Sequence, residues 1–191
     1  NDWPYSEPKT VAYMLKLFNQ QNKIDSVAVK VLDNRYPWER AHREAAEYYL
    51  RKGDYNEFIK EANVLITQYP FIKDYYSFTV EQLLSAKKFD EVYPFLIKAY
   101  KRFPDALFAK WIGTIDLSKE KIDNAIFYLN ESIKYSSNDA QVYYNLAGAY
   151  AKKKMYKEAL NSINSCVALN PNYPNAAKLK AQLSQLVRSN K

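Results

Sequence analysis

The chain holds 191 residues, 26% of them charged and 48% hydrophobic, with a formal net charge of +7. That balance excludes a disordered chain and suits one large domain or an extended array. Only three glycines are present, which excludes a turn-rich all-β domain and a glycine-rich phosphate loop. No run approaches the roughly 20 apolar residues a membrane helix needs. The lone Cys166 excludes an internal disulfide and fits cytoplasm or periplasm equally. The opening NDWPYSEPKT has no initiator Met and no leader pattern, and it reads as a linker entering a helix. A processed mature protein, or a piece of a longer one, is therefore expected. Thirty aromatic side chains, 18 of them tyrosine, must be buried or exposed for a purpose.

In chain order, self-similarity recurs at a spacing near 34 residues. A degenerate first unit at 8–38 carries Met14, Leu15, Phe18 and Ile24. The second, 39–72, carries Ala45, Ala46, Tyr49, Tyr55 and Pro70. The third, 73–105, puts Phe89 on the same site with a one-residue slip. The fourth, 106–139, has Ile112, Gly113, Ile122, Ala125, Leu129 and Ser132. The fifth, 140–173, repeats them 34 residues on as Leu146, Ala147, Tyr156, Ala159, Ile163 and Cys166. Each unit reads as two helices, with apolar residues at i, i+3, i+4 and i+7 as in Tyr143, Leu146, Ala147 and Tyr150. The breaks RKGDY, SAKKFD, SKEKID and AKKKMY read as turns, and prolines such as Pro70, Pro104 and Pro171 stop the second helices. Alanines and glycines mark close helix crossings; glycine inside a helix costs about 1 kcal/mol against alanine, so Gly113 and Gly148 suggest a packing or surface need.

This pattern resembles the tetratricopeptide repeat, whose units run roughly W-x2-L-G-x2-Y and then A, F, A and P over 34 residues. The fifth unit matches best, through Tyr143, Leu146, Ala147, Tyr150, Tyr156, Ala159, Ile163, Cys166 and Pro171. The fourth has Asp116 where an aromatic is usual, and Val92 and Phe58 stand where alanine is expected, which predicts wider helix pairs there. The resemblance implies an all-α solenoid, a right-handed superhelix of about five helix-turn-helix units, closed by a capping helix at 174–189.

Chemistry is sparse. His42 lies among Arg40, Arg43 and Glu44 with no nucleophile at a helical spacing, so a satisfied or solvated histidine is expected. Cys166 stands at a core-facing small-residue site and reads as packing. One histidine and one cysteine cannot assemble the usual zinc set, and no other cofactor is implied. The acidic residues Asp90, Glu91, Glu44 and Glu47 read as solvated surface. The chain is read as non-catalytic within its 191 residues.

The resemblance further implies a concave groove lined by the first helix of each unit. Carried over by position, its ligand-facing residues are Arg40, Arg43, Glu44 and Glu47, then Asp74, Ser77, Phe78 and Glu81. The fourth unit gives Leu107, Lys110, Trp111 and Thr114, and the fifth Gln141, Tyr144, Asn145 and Gly148. A protein or peptide partner follows, with Trp111, Phe78 and Tyr144 as aromatic anchors and Arg43, Lys110 and Asn145 as polar ones. Trp111 either enters the groove or packs on Phe78 or Tyr144. Lys110 and Asn145 match two positions of the family's carboxylate clamp, but Thr114, Asn175 and Leu179 break it, so that specificity is not expected. Residues 140–191 hold eight basic residues and one acidic, while 1–139 balance at 20 each. Lys152, Lys153, Lys154, Lys157, Lys178, Lys180 and Arg188 read as solubilising charge. With no aromatic in 174–191 to stack bases, nucleic acid is not the expected partner, nor is a membrane. Two other readings stay open: a C-terminal accessory domain of a larger bacterial, extracytoplasmic enzyme, and homodimerisation through the aromatic face.

Overall fold

The computed structural model describes residues 39–189, which form nine α-helices and no strand. The unit read at 8–38 lies outside the described residues. The helices are α1 (Glu39–Lys52), α2 (Tyr55–Gln68), α3 (Lys73–Ser85), α4 (Phe89–Arg102) and α5 (Ala106–Ser118). They continue with α6 (Ile122–Tyr135), α7 (Ala140–Lys152), α8 (Tyr156–Leu169) and α9 (Ala176–Ser189). Four helix-turn-helix pairs followed by a single closing helix make an all-α solenoid fold. None of the described helices is long and apolar enough to cross a membrane.

The turn inside each pair is the same local structure. Gly53, Lys87, Glu120 and Lys154 all take left-handed backbone, with φ of 71°, 57°, 58° and 60°. After each, an N–H reaches back to close the helix end: Asp54 to Tyr49 O, Lys88 to Leu83 O, Lys121 to Asp116 O and Met155 to Tyr150 O, at 2.8–3.0 Å. The left-handed residue donates its own N–H to the carbonyl three residues back, as Lys87 N–H does to Leu84 O at 2.9 Å. This is the Schellman arrangement, which satisfies carbonyls that a helix end leaves orphaned. The connections between pairs repeat too: Tyr69, Phe103, Ser136 and Asn170 each donate their N–H to the carbonyl four residues back. Asp54, Asp105 and Asp139 cap α2, α5 and α7 with side-chain oxygens.

The described chain divides into two compact parts, the boundary falling between Thr79 and Val80 inside α3. In the first part α1 packs on α2 through the buried residues Ala41, Ala45, Ala46 and Tyr49 on one side and Phe58, Ala62 and Leu65 on the other. In the second part the helices from α4 to α9 pack on their chain neighbours. Gly113 on α5 faces α6 so closely that an added Cβ would lie 2.7 Å from Leu129 Cγ and 3.1 Å from Ala125 O. Leu129, Val142 and Leu146 join α6 to α7. Ala147, Ala159, Ile163, Cys166, Ala176 and Leu183 close the core under α9.

Two small-residue readings part company here. Gly113 is a packing requirement, as expected. Gly148 is not, because a Cβ there would meet nothing within 4 Å.

Candidate functional site

On α1, Arg43 is exposed and pairs with Glu47 one turn on, at 3.5 Å. With Glu39 and Glu44 they line an open depression of mixed charge. Arg40 lies on the same helix; its side chain is not among those described. His42 turns the other way, into the core, where its Nδ1 sits 2.6 Å from Glu61 Oε2 of α2, both side chains almost wholly enclosed. The histidine is thus an interior residue, paired through Nδ1 with a carboxylate, and not a solvated one. Glu61 was missed as its partner, although it stands between Phe58 and Leu65 on the inward face of α2.

On α3, Asp74 and Glu81 are exposed while Ser77 and Phe78 are half-buried. Phe78 meets Phe58 edge-on at 6.0 Å between ring centroids. Part of its surface is therefore already used in packing.

The most organised face lies between α5 and α7, the first helices of successive pairs. Asn145 donates its amide to Thr114 Oγ1 at 3.0 Å, and Thr114 in turn donates to the Lys110 carbonyl at 2.8 Å. Lys110 Nζ binds Asp139 Oδ2 at 2.7 Å, while the other Asp139 oxygen caps α7 at Gln141 N. The same ammonium lies 5.9 Å from the centre of the Trp111 ring. Trp111, Gln141, Tyr144 and Asn145 are all half-buried, and Leu107 is 51% exposed at the start of α5. Tyr144 rests on Tyr173 at 5.0 Å, which belongs to the connection before α9. Burial holds the Tyr173 hydroxyl above its ordinary pKa.

These bonds matter chemically. The Lys110 charge is neutralised by Asp139, and Asn145 already has a partner in Thr114. The face is therefore close to neutral, with its Asn145 amide and Thr114 hydroxyl bonded to each other beside aromatic rings. It lacks the free cations needed to grip a carboxylate, in keeping with the broken clamp. Asp139 was missed in sequence, though an Asp before an apolar helical run is a legible cap signal. Tyr173, between two prolines, offers no periodic signal at all.

Asp116, standing where the family has an aromatic, is fully buried on α5. Tyr93 of α4 donates its hydroxyl to both carboxylate oxygens, at 2.9 and 3.1 Å, and Lys119 and Lys121 flank the Tyr93 ring at 5.4 Å. Burial, then the bond to Asp116, pushes the Tyr93 hydroxyl well above its usual range. One repeat later, Tyr150 holds the equivalent place and receives the Asn130 amide at 3.3 Å. In both cases an aromatic ring fills the seam, but it comes from opposite sides.

Cys166 is enclosed, and burial pushes its thiol above the ordinary cysteine value, which suits packing and opposes thiolate chemistry. No group of three or more metal-ligating side chains occurs among the described residues.

Stacked helix pairs and small-residue crossings define a helical-repeat array. Residues 116–183 match the family model described as the tetratricopeptide repeat. That stretch carries the family's sequence signature. No curated protein has a matching sequence. Among solved structures, the chain is similar to MamA at 15% identity, over 73% of this chain and 82% of that one, with a TM-score of 0.64. It is similar to YrrB, described as a TPR protein with an unusual peptide-binding site, at 18% identity over 90% of each chain and a TM-score of 0.63. The C-terminal part of a TPR repeat-containing protein from Cytophaga hutchinsonii is 19% identical over 94% of this chain and 72% of that one, with a TM-score of 0.64. Proteins of this fold are in general protein-interaction scaffolds.

Proposed function

We propose that the chain is a non-catalytic scaffold that captures a protein or peptide on its first-helix faces, chiefly the one formed by α5 and α7. The observation that carries this reading is the bonded set Lys110–Asp139 and Asn145–Thr114 beside the half-buried Trp111. Side chains already locked in one arrangement lose little entropy on binding, and a half-buried indole offers a large anchor. The near-neutral lining favours an uncharged or apolar peptide segment. Arg43, Glu47, Ser77 and Phe78 in the first part, Glu81 in the second, and Arg40 by position alone belong to the same proposal. The peptide-binding site printed for YrrB is in keeping with it.

The test is selection of peptides from a random display library against the full chain, followed by binding to Trp111→Ala. Peptides selected on this face should lose about tenfold or more in affinity, a change of about 1.4 kcal/mol or more. The melting temperature should stay close to that of the parent. Peptides that bind the variant as tightly as the parent would overturn the assignment, and a collapse in melting temperature would show Trp111 to be core.

A further inference from the structure

We propose that the C-terminal end of the array is a second docking surface, for an acidic, apolar segment of a partner protein. A ladder of ion pairs links successive turns. Lys119 reaches back to Asp90 at 2.6 Å, Lys152 to Glu120 at 2.7 Å, and Lys153 to Asp123. Each bond runs from the turn of one helix pair to the turn, or the second-helix start, of the pair before it. Lys152 and Lys153 are therefore paired charges and not free ones.

At the last repeat the sign reverses. Thirty-four residues after Glu120 and Asp123, the receiving positions are Lys154 and Lys157. Neither has a carboxylate partner among the described residues. A further repeat with the same turn lysines would be repelled there, so this end cannot continue the ladder; it presents cations for an anion to meet. Between the two lysines lies a notch of about 300 Å³ whose lining adds Met155, Tyr156, Glu158 and, from α9, Val187. Half-buried apolar side chains beside exposed lysines suit a segment that brings carboxylates and a hydrophobic side chain together. The surrounding charge agrees: Glu158 is the one acidic residue after Asp139, against eight basic ones, of which Lys152 and Lys153 are paired with the preceding repeat. A phosphate backbone would match the lysines but leave the apolar side chains unused.

The assay is fluorescence anisotropy on the full chain with a labelled peptide carrying glutamates and leucines at helical spacing. The same peptide with glutamine for glutamate serves as comparison. The glutamate peptide should bind, more weakly as salt rises. The double variant Lys154→Asn with Lys157→Asp should weaken it about tenfold, because one attraction is removed and the other becomes a repulsion. Asparagine is chosen at 154 because it tolerates the left-handed backbone. Lys157→Gln alone, at an exposed position, should give a smaller loss in the same direction and guards against misfolding. Trp111→Ala should leave this binding unchanged, which separates the present surface from the first-helix face. Equal binding by the double variant and the parent would overturn the proposal. So would preferential binding of single-stranded DNA or of phosphatidylglycerol vesicles through the same lysines, or a concentration-dependent self-association that the double variant abolishes.

Discussion

Single residues decide what each helix crossing tolerates, and the two helical glycines make opposite cases. At Gly113 a methyl group would press on Leu129 and on the backbone of α6. Gly113→Ala should lower stability by about 1–3 kcal/mol, the usual range for overpacking. At Gly148 the methyl group would enter open space, so Gly148→Ala should raise stability by about 0.5–1 kcal/mol through helix propensity. Urea unfolding of the two variants beside the parent measures both, and a matching sign would refute the distinction. Glu61 supplies a third case. Glu61→Ala removes the carboxylate that His42 faces inside the core, a loss of about 1–3 kcal/mol in the same measurement. A change below about 0.5 kcal/mol, as at ordinary surface sites, would mean that the pair is incidental.

At the scale of the element, the intra-pair turn is the most regular feature, and only one of its four copies uses glycine. Lys87, Glu120 and Lys154 adopt a left-handed backbone that L side chains take at a cost of roughly 1–2 kcal/mol. Replacing each with glycine should therefore stabilise the chain by about 0.5–1 kcal/mol, part of the relief being offset by the freer unfolded chain. Gly53→Ala should do the reverse. Thermal unfolding of the four single variants reads the effect, and a destabilised Lys87→Gly would show that its side chain outweighs the strain. This turn also shows what was legible in the sequence. The 34-residue spacing, the apolar faces of the helices and the breaks at RKGDY, SAKKFD, SKEKID and AKKKMY follow from periodicity, which burial enforces. The left-handed lysines do not, because nothing in their side chains prefers that conformation; the hydrogen-bonded helix end imposes it. For the candidate site, Lys110, Thr114 and Asn145 could be placed on their helices, but their mutual bonds depend on packing between repeats. Asp116 is the clearest example: local pattern marks it as a misfit, and only Tyr93 from the preceding pair explains how a carboxylate is buried there.

At the scale of the whole molecule, a repeat array is stabilised by each unit's own packing and by its neighbour, so an end unit has one neighbour too few. Here α9 covers that open side: Ala176 and Leu183 complete the cluster that encloses Ala147, Ala159, Ile163 and Cys166. The thiol of Cys166 reports on this cover, since it is the single cysteine in the chain and has no exposed surface. In the intact protein its reaction with a thiol reagent requires local opening and should be slow. Ending the chain at Asn175 removes α9, bares the small-residue seam between α7 and α8, and should speed Cys166 labelling by a factor of ten or more, about 1.4 kcal/mol of lost protection. Leu183→Ala, which keeps the helix and opens a cavity beneath it, should give an intermediate rate. Labelling at the unfolded rate already in the intact chain, or no change on removing α9, would show that the last pair does not depend on the closing helix. Amide exchange along α7 and α8 provides the second reading. If α9 acts as a cap, protection should fall there while α5, shielded by its own neighbours on both sides, keeps it.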